Sequence, residues 1–424
     1  MREQTKGSSL RQWAGLFLAR ASRDTSSGQF IPTIDGLRFM AILSVLLFHL
    51  YTFVSRKNEA GAAADPLGAA FGCGDIGVQL FFIISGFIIA LPFAKGHLGL
   101  GSRPRLKSYY LRRLTRLEPP YIICLLISFP ISAAIIHLSY PQLLPHLLAS
   151  LFYLHNLTYG EMSAVNFVAW SLEVELQFYL LAPAISLIFT ISSRLRRRTL
   201  LAALIVFFSL VSYWAAGPSR LTLSILVMAQ YFLTGFLLAD VYLGEWREGI
   251  RTSPGWDLVS LAAWLTIYSA HHAGKSGDLF LPVPMFLAYL AAFKGSLSSR
   301  FFQSPAVYTI GGMCYTLYLY HYTCIFSVGR VLEKTGVISG RPPWQQLLML
   351  GGVALPATFV FCSALFIMVE KPCMSRRWHT GIVERVSCAL QKLGVLRQGA
   401  PAPFPAGSPV PESAGAAEQQ APSN

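Results

Sequence analysis

Long apolar runs, separated by short gaps that hold nearly all the lysine and arginine, constrain this chain more than any other feature. The runs lie near residues 33–54, 76–94, 117–138, 167–191, 199–216, 222–243, 256–271, 279–294, 305–328 and 346–370. A helix needs about 20 residues to cross the roughly 30 Å hydrocarbon core of a bilayer. Most of the runs reach that length, and 256–271 and 279–294 are the shortest. The chain is 54% hydrophobic and only 13% charged, about half the charged share of an ordinary soluble domain. A protein core cannot hide that much apolar surface, and lipid is the solvent that accepts it. The expected fold class is therefore all-α, a polytopic membrane protein with about ten transmembrane helices.

The distribution of positive charge tests this count. With the N-terminus inside, the inner segments hold 26 of the 34 Lys and Arg residues and the outer loops hold seven, with Arg38 inside the first run. That asymmetry predicts both termini in the cytoplasm. The stretch 142–157 is also apolar but carries Pro145, His146 and His155. Counted as a span, it would move Arg194, Arg196, Arg197 and Arg198 outside. It is read instead as a helix that lies in the interface or re-enters the membrane.

Three segments follow: a basic cytoplasmic stretch at 1–30, a transmembrane domain at 31–378 and a cytoplasmic tail at 379–424. The tail is rich in Pro, Ala, Gly and Ser and is expected to be largely disordered. No cleavable signal peptide is expected at the N-terminus. A net charge of +14 raises the question of nucleic acid. The charge lies in short clusters between apolar runs, so it reads as topology, and no nucleic-acid partner is expected. The seven cysteines show no metal-ligand spacing and read as small buried hydrophobes, so no metal is expected.

Polar residues inside the runs carry the chemistry, because each is costly in lipid. The first run places Asp35 and Arg38 near its inner end and His49 near its outer end. Eleven residues of helix separate Arg38 from His49, about 16 Å. Arg38 can simply snorkel to the interface, and His49 can be a satisfied interfacial histidine. Gly77, Ser85 and Gly86 lie in a Gly-Val-x-Leu-Phe-Phe-x-x-Ser-Gly-Phe stretch that alone reads as helix packing. A basic stretch at 103–118 places Arg113 and Arg116 three residues apart, on one helical face. Guanidinium forks match phosphate oxygens, although such a cluster also suits anionic lipid. Trp170 opens a Trp-Ser-Leu-Glu-Val-Glu segment, where Glu173 and Glu175 cannot share a helix face. Tyr318 and His321 lie in an aromatic-rich stretch, and Glu370-Lys371-Pro372 closes the last run.

In this order the motifs resemble the acyltransferase 3 family of bacterial integral membrane acyltransferases, which modify O-antigens, exopolysaccharides, nodulation factors and macrolides. The resemblance rests on Asp35-Gly36-Leu37-Arg38 with His49, the Gly-Val-x-Leu-Phe-Phe-x-x-Ser-Gly-Phe stretch, Arg113-x-x-Arg116, the Trp-Ser-Leu-x-x-Glu segment that runs from Trp170 to Phe178-Tyr179, and Tyr318-x-x-His321. It implies transfer of an acyl group, most readily acetyl, from acyl-CoA to a hydroxyl of a carbohydrate or glycolipid such as lipopolysaccharide. Acyl-CoA is a co-substrate, and no cofactor is bound permanently. The implied setting is the bacterial inner membrane, with membrane lipid around the chain. Arg38, Arg113 and Arg116 would bind the donor, while His49 and Glu175 would be catalytic. Trp170, Tyr318 and His321 would contact substrate, and His321 is the rival to His49 as base. Glu175 matches the family's glutamate. A transporter or flippase is the alternative, since polar residues in spans suit transport too, but the sequence shows no inverted repeat.

Overall fold

The computed structural model describes residues 30–56, 66–215, 217, 219–246 and 249–374. The N-terminal segment up to residue 29 and the tail 379–424 lie outside the described residues. Among the described residues every element is helical, apart from one isolated bridge between Ser253 and Gly295. The principal helices are α1 (Pro32–Ser55), α2 (Ile76–His97), α3 (Leu106–Ile136), α4 (Tyr140–Leu151), α5 (Trp170–Ile185) and α6 (Arg194–Trp214). They continue with α7 (Ala229–Glu245), α8 (Gly255–His272), α9 (Pro282–Lys294), α10 (Pro305–Gly312), α11 (Cys314–Lys334) and α12 (Pro343–Leu365).

Five stretches are long and apolar enough to cross a membrane: Pro32–Ser55, Ile76–His97, Leu106–Ile136, Phe167–Thr190 and Pro343–Cys373. The other expected spans are helical but fall short of that standard. Helix α9 has 13 residues and α7 has 17. The run 305–328 is interrupted at Met313, between α10 and α11. The outer surface carries many bare apolar side chains, Leu195, Leu258 and Val360 among them, as a lipid-facing surface does.

Local chemistry sets the helix starts. Pro32 stands in the first turn of α1, where its missing N–H costs nothing and its fixed φ suits a helix. Ser139 and Gln142 form a reciprocal capping box at the start of α4. The prolines Pro119, Pro120 and Pro130 lie within α3, and neighbouring helices tolerate such residues in lipid by re-satisfying the freed carbonyls.

Glycines bring α2 and α7 into backbone contact. A methyl group at Gly86 would collide with the carbonyl of Phe232, and one at Gly235 with the carbonyl of Ile83. The expectation that the glycines of the Gly77–Phe87 stretch permit close packing is met at this crossing.

The doubtful stretch at 142–157 folds back along α3. His137 turns the chain with a φ of 57°, and α4 follows after two more residues. The Tyr121 hydroxyl then donates to the Ser150 carbonyl at 3.0 Å. Tyr121 lies 15 residues before the end of α3, about 22 Å along the helix. With 12 residues, α4 is only about 18 Å long, too short to span.

Candidate functional site

Five helices, α1, α2, α3, α5 and α11, converge on a cavity of about 100 Å³. Helix α1 contributes Arg38, α3 contributes Arg113 and Arg116, and α5 contributes Glu175 and Tyr179, with Ser85 on α2. The wall thus carries three guanidinium groups and one carboxylate. Arg38 forms an ion pair with Asp35, one turn earlier on α1, and both are largely buried. It faces the cavity rather than snorkelling outward. Glu175 accepts hydrogen bonds from the Ser85 hydroxyl and from the Tyr179 hydroxyl, the latter at 2.5 Å. The Arg113 guanidinium sits 5.4 Å from the Tyr179 ring centre and 5.9 Å from that of Tyr109, within cation–π range. Nε of Arg116 is buried and has no hydrogen-bond partner among the described residues. A buried donor left without an acceptor is costly unless a guest supplies one.

Nearby, the chain after α12 makes one π-helical turn, Phe366–Glu370. Glu370 is fully buried and accepts from the Thr316 amide at 3.1 Å and the Thr316 hydroxyl at 2.5 Å. The sequence motif that ends the last span therefore ties α12 to the start of α11.

His49 and His321 form a second cluster. Their ring centres are 5.0 Å apart, and both side chains are buried. Nδ1 of His321 lies 2.7 Å from the Tyr318 carbonyl and 3.1 Å from the Leu317 carbonyl. Carbonyls only accept, so Nδ1 carries the hydrogen and Nε2 presents a lone pair. Nε2 of His321 and Nδ1 of His49 have no partner among the described residues. Neither histidine lines the arginine cavity. Tyr318 stands between the two clusters. It lines the cavity, its ring lies 5.6 Å from that of His321, and its hydroxyl is 2.6 Å from that of Ser171.

The remaining candidates are placed as follows. Trp170 meets Phe82 edge to face, with ring centres 6.5 Å apart, and does not line the cavity. Glu175 shares the arginine cavity, and no hydrogen bond joins it to His49 among the described residues. Glu173, whose role the motif left open, turns to the other side of α5. Its carboxylate accepts the amides of His155 at 3.2 Å and Asn156 at 2.8 Å. It holds the start of the short helix His155–Tyr159 and is a positioning residue. Ser85, in a stretch that alone reads as helix packing, donates its hydroxyl to the Glu175 side chain. Sequence reasoning missed Tyr179 and Tyr315 as cavity residues, although Tyr179 ends the Trp170 segment at one helical turn from Glu175.

Helices of membrane-spanning length around a buried polar cavity place the chain among multi-helix membrane proteins. The acyltransferase 3 family model, an acyltransferase domain, matches residues 31–367, and the chain belongs to that family. It is 26% identical to the peptidoglycan O-acetyltransferase OatA of Listeria monocytogenes, over 82% of this chain and 56% of that protein. It is 24% identical to the O-acetyltransferase OatA of Staphylococcus aureus, over 71% of this chain and 52% of the relative. The chain thus spans about half the length of the curated relatives it matches. No solved structure matches it significantly.

Proposed function

We propose that this protein transfers an acyl group, acetyl in the first instance, from cytoplasmic acyl-CoA to a hydroxyl of an envelope carbohydrate or glycolipid. The observation that carries this reading is the meeting of Arg38, Arg113 and Arg116 in one cavity, with a buried Arg116 nitrogen left without an acceptor. Guanidinium forks suit the phosphates of CoA. The names of the relatives favour acetyl as the group and a glycan as the acceptor. Family membership weighs against a transporter. About ten spans, both termini in the cytoplasm and residence in the inner membrane complete the proposal, on the strength of the charge asymmetry.

In this mechanism the CoA phosphates sit among the arginines and the pantetheine arm extends past Tyr318 toward the histidines. The separation of about 16 Å between Arg38 and His49 along α1 suits that arm. His49 takes the proton of the acceptor hydroxyl as the oxygen attacks the thioester carbonyl. The C–S bond then breaks, and the imidazolium returns its proton to the departing CoA sulfur. The fixed tautomer of His321 leaves a lone pair beside His49 that can hold the second His49 nitrogen in place. Glu175, held by Ser85 and Tyr179, orders the arginine cavity.

The test is to incubate membranes containing the full chain with radiolabelled acetyl-CoA and envelope glycan. Free CoA thiol should appear in step with label on the glycan. Label that reaches no acceptor, with no thiol released, would sink the reading. Topology is tested separately. A reporter after Arg198 should read cytoplasmic and one after Tyr159 external, and the reverse at either site would end the ten-span arrangement.

A further inference from the structure

The last turns of α6, the approach to α7 and the link from α8 to α9 enclose a second cavity of about 230 Å³, which shares no residue with the arginine cavity. A water needs only about 10–15 Å³ of such space, so this one admits a ring-sized guest. Ser209, Tyr213, Thr222, Lys275 and Asp278 give it a polar wall, and Leu279 is among its apolar members. Ser209 is 4% exposed, and its hydroxyl has no partner among the described residues. Hydroxyls elsewhere on the long helices bond back to the carbonyl four residues earlier, as those of Ser44 and Thr266 do. A buried hydroxyl without such a bond is costly unless a guest supplies one. The charged groups here are balanced. The Lys275 ammonium donates to the Ala215 carbonyl, which leaves two of its N–H bonds. One Asp278 oxygen lies 2.6 Å from Nδ1 of His271, and Nε2 of that ring lies 2.9 Å from Asp75. Carboxylates only accept, so His271 carries both hydrogens and is an imidazolium between two anions. Two cations thus stand against two carboxylates.

We propose that this cavity binds one neutral pyranose unit of a glycan. A wall with equal numbers of cations and carboxylates selects no net charge, yet it offers both donors and acceptors. A sugar ring matches it, because each hydroxyl donates and accepts and the ring is uncharged. Lys275 donates to the ring hydroxyls, Asp278 accepts from them, and Ser209 gains the partner it lacks. Tyr213 meets the apolar C–H face of the ring, as the face of an aromatic side chain can. In the ten-span arrangement the links at 217–222 and 275–279 are outer loops, so the cavity lies on the side where an envelope glycan is found. The inference rests on the reading of a glycan as acceptor and extends it. The cavity holds a unit of the polymer other than the one that reacts at His49.

The experiment is saturation-transfer NMR of the full chain in a detergent without a sugar head group. The methyl glycosides of glucose, galactose and N-acetylglucosamine serve as neutral probes, and methyl glucuronide as the charged one. At least one neutral glycoside should bind more tightly than the glucuronide. Ser209→Ala should weaken that binding about fivefold, as expected for one hydrogen bond. The unfolding midpoint of the empty protein should hold or rise in this variant, because the hydroxyl removed has no partner there. A structural role for Ser209 would lower the midpoint instead. Asp278→Asn should weaken binding about tenfold, since a charged acceptor is lost. Binding of no neutral glycoside, tighter binding of the glucuronide, or unchanged binding by the Ser209→Ala chain each overturns the proposal. Acyl transfer is measured on the same wild-type preparation. Transfer without glycoside binding sinks this site alone, and glycoside binding sensitive to Ser209→Ala without transfer sinks only the reaction.

Discussion

The arginine cavity and the histidine pair both reach Tyr318 and solve the problem of buried polarity differently. In the cavity Arg38 is matched by Asp35 and Glu175 by two hydroxyls, Arg113 lies against two aromatic rings, and Nε of Arg116 has no hydrogen-bond partner among the described residues. The His49 ring packs against Phe48, Phe167 and Tyr322, and Nδ1 of His49 and Nε2 of His321 have no partner among the described residues. Guanidinium groups with a donor still open suit an anion, while an imidazole nitrogen without a partner has a position open to a substrate proton. The contrast divides binding from chemistry, and substitutions on either side can break that division.

The largest effect belongs to His49. A positioned general base contributes typically 10²–10⁴-fold to rate, so His49→Ala should lower acylation by about that factor while membrane abundance and acetyl-CoA binding stay intact. Assays of acceptor labelling and donor binding on the same preparation decide it. Normal labelling would dissolve the division, and loss confined to His321→Ala would move the base role to His321.

Next is the arginine side. The double substitution Arg113→Ala and Arg116→Ala should weaken acetyl-CoA binding by roughly 10²-fold, since hydrogen bonds to charged groups contribute about 1.5–3 kcal/mol each. Lysine at both positions should restore only part of it, because a point charge lacks the fork. Isothermal titration at low and high salt reads this out, with the loss smaller at high salt, where screening already weakens the phosphate contact of the unsubstituted chain. Full affinity in the double alanine variant would reduce the pair to a topology signal.

The smallest effect belongs to Glu173, which belongs to neither cluster. Glu173→Ala leaves two buried amides, at His155 and Asn156, without their acceptor. It should cost about 2 kcal/mol of stability, seen as a lower unfolding midpoint in detergent, with donor affinity unchanged. An unchanged midpoint would show that other groups cap this helix.

Much of this was legible along the chain. Runs of apolar residues announce helices in lipid because every backbone group there must bond within its own segment, and all ten expected runs are helical. The spacing of Arg113 and Arg116 put both on one face of α3, and both do reach one cavity. The register of α5 likewise settled that Glu173 and Glu175 point apart, since neighbouring odd positions on a helix are about 200° apart.

Which way each of them points was not legible. A local period says that two side chains diverge, and only the packing of α2, α3 and α11 around α5 says what each one meets. Five of the expected runs are too short, too broken or too polar to count as spans by length and hydropathy alone, because in a bundle neighbours can cover what lipid would not. The back-fold of α4 turned on a left-handed His137 and on the hydrogen bond between Tyr121 and Ser150, a contact across 29 residues. The meeting of His49 with His321 spans nearly three hundred positions. Composition and periodicity dictate what each helix buries, but contacts between distant helices depend on how closely backbones approach, and here glycines such as Gly86 and Gly235 set that approach.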